Sequence, residues 1–103
     1  MKSLPVLVVA FLSACSSAAF ADLDEMYKAK NCFACHRIEH NHLGPSFKNV
    51  ASKYANDKDA AARLAQKIRE GGAGVWGPSP MPAQTQVTEA EALTLARWIL
   101  EVK

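Results

Sequence analysis

What this chain of 103 residues is short of narrows its function quickly. It has only three cysteines, and no second Cys-x-x-Cys pair follows the first to complete a closed zinc site. It has little net charge, formally +2, and its basic residues form no stripe, so nucleic acid is a poor candidate partner. Beyond its first residues it has no long hydrophobic run, and so no candidate membrane span. Strand-type alternation, internal repeats and linker composition are also missing, which leaves one small domain built from helices. A chain this short buries a modest core and needs a staple.

The staple is written in Cys32-Phe33-Ala34-Cys35-His36. Two thiols three positions apart, followed at once by an imidazole, form the attachment signature of a c-type haem. On a helical turn, residues i and i+3 share a face, so both sulfurs can reach the vinyl groups along one haem edge. His36 then lies beneath the ring, where a neutral imidazole nitrogen can bind iron. A thioredoxin-like redox pair needs a βαβ setting that the sequence does not show. A disulfide across so short a loop leaves His36 without a role.

Residues 1–21 read as an export signal: Lys2, an apolar segment from Leu4 to Leu12, then small residues ending Ala19-Phe20-Ala21. Cleavage after Ala21 leaves residues 22–103 as the mature domain and removes the odd cysteine, Cys15. Leu12-Ser13-Ala14-Cys15 also fits a lipoprotein processing box, in which Cys15 is lipidated. Soluble export is the favoured expectation, and both routes place the protein outside the cytoplasm.

The mature chain reads as four helices. Asp22 to Phe33 carries Leu23, Met26, Tyr27, Lys30 and Phe33 on one stripe, with acidic residues at its start. Ser46 to Ala55 places Phe47, Val50, Ala51 and Tyr54 on one face, and Asn56-Asp57 interrupts it. Asp59 to Glu70 buries Ala61, Leu64, Ala65 and Ile68, with Gly71 as its stop. Thr88 to Lys103 opens with a Thr88/Glu91 capping box and buries Ala92, Leu93, Ala96, Ile99 and Leu100, with Trp98 at the edge of that face. Between residues 71 and 86, four glycines and three prolines exclude regular structure, and long irregular loops in small domains are usually functional.

At the centre of that loop stands Met81, between Pro80 and Pro82. Met1 leaves with the signal and Met26 lies on a core stripe, so Met81 is the methionine left to act as a second axial ligand. A thioether is a soft ligand that favours reduced iron, and its proline neighbours restrict the loop in advance. His40 and His42 follow His36 too closely, since at about 3.5 Å per residue the chain could hardly round the haem and return to the iron. They read as solvated loop residues.

Together these elements resemble the short bacterial class I cytochromes c of the c-551/c-552 group. The likeness rests on Cys32-Phe33-Ala34-Cys35-His36, Gly44-Pro45, Gly74-Val75-Trp76-Gly77-Pro78, Pro80-Met81-Pro82 and a Trp-bearing last helix. It spans residues 22–103. It implies an all-α fold of four to five short helices around one covalent, low-spin haem c, with His36 and Met81 as axial ligands. It also implies that the Pro45 carbonyl accepts from His36, that Trp76 donates to a haem propionate, and that Lys67 stands where relatives often carry arginine. Relatives commonly have an asparagine supporting the methionine sulfur; here Gln84 takes about that place, in a loop one residue longer. The expected function is a monomeric, soluble, periplasmic one-electron carrier without catalytic residues. Its partners would be transient redox proteins: a membrane cytochrome complex, a terminal oxidase or a periplasmic reductase. Lys28, Lys30 and Lys48 are candidate steering charges. The alternative is a haem sensor or peroxidase-like protein with an open sixth coordination position.

Overall fold

The computed structural model of the chain describes residues 2–3 and 25–103. The expected signal, its cleavage after Ala21, Cys15 and the first turn of the helix expected from Asp22 lie outside the described residues. Residues 25–29 are helical (α1), followed by a 3₁₀ turn at Cys32–Ala34, then α2 (Phe47–Lys53), α3 (Ala60–Glu70) and α4 (Glu89–Glu101). Among the described residues there is no strand, only one isolated antiparallel bridge between Gly72 and Met81. The all-α expectation holds, with each helix slightly shorter than its periodicity suggests.

Local chemistry sets those limits. Ser46 caps α2, its side chain accepting from the Asn49 backbone N–H. Thr88 caps α4 in the expected reciprocal box with Glu91. Asp59 stands at the α3 N-cap without a side-chain cap bond; Asp57 instead accepts from the Asp59 N–H. Gly71 ends α3 at φ 72° and ψ −167°, a region that is essentially glycine-only. The first helix departs most from expectation. Asn31 adopts φ 62°, a left-handed conformation that asparagine tolerates better than most residues. The α-helix therefore ends before the cysteine motif, which sits on its own tighter turn.

Helix α4 is the spine, with α2 and α3 packed against it. Its buried face is Ala92, Leu95, Ala96 and Ile99, the i, i+3, i+4, i+7 set of a single stripe. Leu95, absent from the expected stripe, is fully buried, whereas Leu93 and Leu100 are only half-buried. Tyr27 is also fully buried and donates its hydroxyl to the Leu95 carbonyl at 2.7 Å. Burial pushes its phenol well above the ordinary tyrosine range. Around it, Phe33, Phe47 and Trp98 close an aromatic cluster with ring centroids 4.5–5.7 Å from Tyr27. Met26 packs against this core, as its stripe position indicates. The first and last helices are thereby locked, and the two functional loops project from the result.

Candidate functional site

The motif turn is shaped by its own backbone. The Cys35 and His36 amides both donate to the Cys32 carbonyl, at 3.3 and 3.0 Å. In 3₁₀ geometry residues i and i+3 eclipse one another, which stacks positions 32 and 35 on one edge. Both cysteines are half-buried and free. Burial raises the Cys32 thiol above its ordinary range. A redox-active Cys-x-x-Cys needs the opposite shift, so the turn suits a covalent attachment point better than a reactive thiolate.

His36 is held from three directions. Its Nδ1 lies 2.8 Å from the Pro45 carbonyl oxygen. A carbonyl can only accept, so Nδ1 carries the proton and the Nε2 lone pair is free. The Phe47 ring stacks on the imidazole, with centroids 5.2 Å apart and planes 22° from parallel. Gly44 closes the third side, where an added Cβ would stand 2.6 Å from His36 Cε1. The loop itself is tied by Gly44 N–H to the Cys35 carbonyl and by Phe47 and Lys48 N–H to the carbonyls of Arg37 and Ile38. Asn41 adds a staple, its Oδ1 accepting from the Ser46 amide and the Asn49 side chain. Arg37 donates to the carbonyls of Phe33 and His36, closing the turn over the motif.

Met81 reaches the site by a different device. Gly72 and Met81 exchange both backbone bonds, Gly72 N–H to Met81 O at 3.0 Å and Met81 N–H to Gly72 O at 2.7 Å. That closely spaced pair closes residues 73–80 into a loop whose interior bond runs from Gly74 N–H to Gly77 O. Gly71 permits the approach: a Cβ there would lie 2.4 Å from the Met81 carbonyl oxygen. Met81 is half-buried and packs against the same core cluster as Cys32 and Phe33. Lys53 Nζ sits 5.4 Å from the Trp76 ring centre, a cation–π contact tying this loop to the end of α2.

The donor set fits a haem. It comprises one imidazole with a fixed tautomer, one thioether, and two unpaired cysteines on a single turn. The apolar surface agrees with it. The large exposed hydrophobic side chains of the described residues are Ile38, Leu43, Val75 and Trp76, and all four belong to the two loops that carry His36 and Met81. Exposed apolar groups on these two loops are compatible with a bound apolar group such as a flat macrocycle. The residues that could hold it are Cys32, Cys35, His36 and Met81.

Several participants had no signal in the sequence. Arg37, Asn41 and the Gly72–Met81 pairing each depend on where the loops run. Lys30 changes role: its Nζ donates to the Gln86 carbonyl at 3.0 Å and pairs with Glu91 at 3.4 Å, so it is a structural tie and not a free steering charge. Gln84 directs its amide N–H to the Pro82 carbonyl and accepts from Gln86. His40 and His42 are exposed, as expected.

The family model described as Cytochrome c matches residues 21–103. The cytochrome c-552 of Nitrosomonas europaea is 47% identical over 92 residues, covering 88% of this chain and 89% of that protein. The cytochrome c-551 of Pseudomonas aeruginosa is 48% identical over 82 residues, covering 80% of this chain and 78% of that protein. The crystal structure of wild-type Nitrosomonas europaea cytochrome c552 superposes with a TM-score of 0.76 at 48% identity, covering 78% of this chain and 99% of that one. The fold expected from the resemblance, a small helical cytochrome c, is therefore the fold observed.

Proposed function

Because the chain belongs to the cytochrome c family, whose members carry covalently bound haem c and transfer electrons, we propose that it is an exported, soluble one-electron carrier of the periplasm. In this reading residues 1–21 are the signal and residues 22–103 the mature domain. Cys32 and Cys35 form the thioether links, and His36 and Met81 are the axial ligands. The observation that carries the reading is the His36 Nδ1 bond to the Pro45 carbonyl, because it presents Nε2 as the ligating atom and makes the imidazole a stronger donor.

The haem, when bound, supplies the site that gains and loses one electron. The protein's part is to keep the ligands still while that happens. His36 cannot rotate without breaking its bond to Pro45 or leaving Phe47. Met81 is restrained by its paired bonds to Gly72 and by prolines on both sides. A thioether opposite an imidazole favours the reduced iron and so raises the reduction potential. If His36 and Met81 both held the haem iron, no position on it would be left for a substrate. Among the described residues no helix is long and apolar enough to cross a membrane. Redox partners would meet the protein transiently, at an exposed haem edge beside Cys32.

Optical spectra of the purified protein test this directly. The ferric form should show the weak near-infrared charge-transfer band of a His/Met pair, and the ferrous form should not take up carbon monoxide. Met81→Ala should abolish the band, admit carbon monoxide and lower the potential. Ready carbon monoxide binding by the unmodified protein would instead identify a sensor or peroxidase-like site.

A further inference from the structure

Between the Met81 loop and Lys30, just before the cysteine turn, runs a short chain of hydrogen bonds with Gln86 at its centre. The Gln86 Nε2 atom donates to the Lys30 carbonyl at 3.0 Å and to Gln84 Oε1 at 2.7 Å. In return, Lys30 Nζ donates to the Gln86 carbonyl at 3.0 Å. Gln84 Nε2 then donates to the Pro82 carbonyl at 2.9 Å, and the Gln84 backbone N–H donates to the Ile68 carbonyl at 3.0 Å. The amide orientations are forced by this sequence of partners. The Lys30 carbonyl can only accept, which turns the nitrogen of Gln86 toward it. The second Gln86 hydrogen then needs an acceptor, which turns the oxygen of Gln84 toward Gln86. The nitrogen of Gln84 is thereby aimed at the Pro82 carbonyl.

The two ends of this chain are functionally placed. Lys30 lies two positions before Cys32, and Pro82 is the residue directly after Met81. We propose that Gln86 is a positioning residue for Met81, the centre of a strap that joins the Met81 loop to the turn carrying the attachment cysteines. The inference rests on Met81 being an axial ligand. The Gly72 bridge holds Met81 by its own N–H and its own C=O. The strap adds a restraint at the next residue, so swinging the loop outward requires Pro82 to drag Gln84 and Gln86 away from Lys30. Gln84 therefore acts on Met81 through the backbone it holds, its amide being already committed to Pro82 and Gln86.

Imidazole competition against the haem-loaded, full-length protein tests the strap. Gln86→Ala should raise ferric imidazole affinity about fivefold, the worth of one or two modest hydrogen bonds, and should weaken the near-infrared band. Gln86→Met keeps the stem but neither amide bond, and should do the same. Tyr27→Phe removes a buried hydroxyl bond to Leu95 that is no part of the strap and should lower the melting temperature without moving imidazole affinity. If Gln86→Ala and Tyr27→Phe behave alike, or Gln86→Met behaves as the unmodified protein, the strap is not a positioning device. Met81→Ala separates the two levels of the argument. Should it leave imidazole affinity unchanged, the ligand assignment itself fails; should it raise affinity while Gln86→Ala does not, only the strap fails.

Discussion

The loop after the cysteine motif and the loop around Met81 do similar work by different means. The first, residues 35–46, adds to its backbone bonds a set of side-chain ties: Asn41 to Ser46 and Asn49, Arg37 to Phe33 and His36, His36 to Pro45, with Phe47 stacked behind the imidazole. The second, residues 71–82, is tied by backbone: two bonds between Gly72 and Met81 and one between Gly74 and Gly77. It depends on residues that restrict or enlarge backbone freedom, glycine at 71, 72, 74 and 77 and proline at 78, 80 and 82. The difference follows the chemistry of the two groups proposed as ligands. An imidazole has a second nitrogen that can be gripped at a defined angle. A thioether offers only a weak acceptor, so its position must come from the chain that carries it. The thioether side is thus expected to be the more sensitive of the two to changes in backbone freedom.

Paired substitutions of glycine can break that comparison. Gly71→Ala faces both a glycine-only backbone conformation and a Cβ 2.4 Å from the Met81 carbonyl, so a loss of about 3 kcal/mol or more is expected. Gly44→Ala meets only the His36 ring, 2.6 Å away; the ring can tilt, and a cost of about 1–3 kcal/mol is expected. Denaturant unfolding gives the ranking, and equal losses would remove the distinction between the loops. The spectra should divide too, with Gly71→Ala weakening the thioether band and Gly44→Ala disturbing the imidazole side.

A smaller effect sharpens the claim that the imidazole loop stands on the aromatic core. Tyr27→Phe keeps the ring contacts with Phe33, Phe47 and Trp98 but loses the buried hydroxyl bond to Leu95. A loss of about 1 kcal/mol is expected, read as a lower denaturation midpoint with unchanged haem spectra. A change in the spectra would mean that the core transmits strain to the loops.

The smallest effect concerns pH. The Thr88 backbone N–H donating into its carboxylate, aided by the Thr88 side chain and Lys30, holds Glu91 below the usual glutamate range. A carboxylate depressed in the folded state stabilises above its unfolded pKa, and that contribution is lost as pH falls through the lowered value. Glu91→Gln should flatten this slight acid-side loss in a series of melting curves. Both partners are partly open to solvent, so salt should screen the ion pair with Lys30.

Leu95 and Lys30 show where reading the chain stopped short. The apolar residues of α4 indicate a buried face, but periodicity leaves its rotation open by one position. Packing against Tyr27 selected Leu95 over Leu93 and Leu100. Lys30 shares the stripe spacing of the first helix, yet Asn31 breaks that helix and turns Lys30 toward Gln86 and Glu91. The Thr88/Glu91 box, the Gly71 stop and the core position of Met26 were legible because each depends on neighbours within a turn or two.

The amino-acid sequence by itself determined the helices and the core position of Met26, and it singled out the cysteine motif and Met81 as candidates, because spacing along the chain encodes short-range geometry. Only the tertiary structure decided that Gly72 pairs with Met81, that Gly44 abuts the His36 ring, and that Gln86 links Lys30 to the Met81 loop. Those contacts join residues whose separation is set by the path of irregular loops, and no local periodicity records where such a path returns.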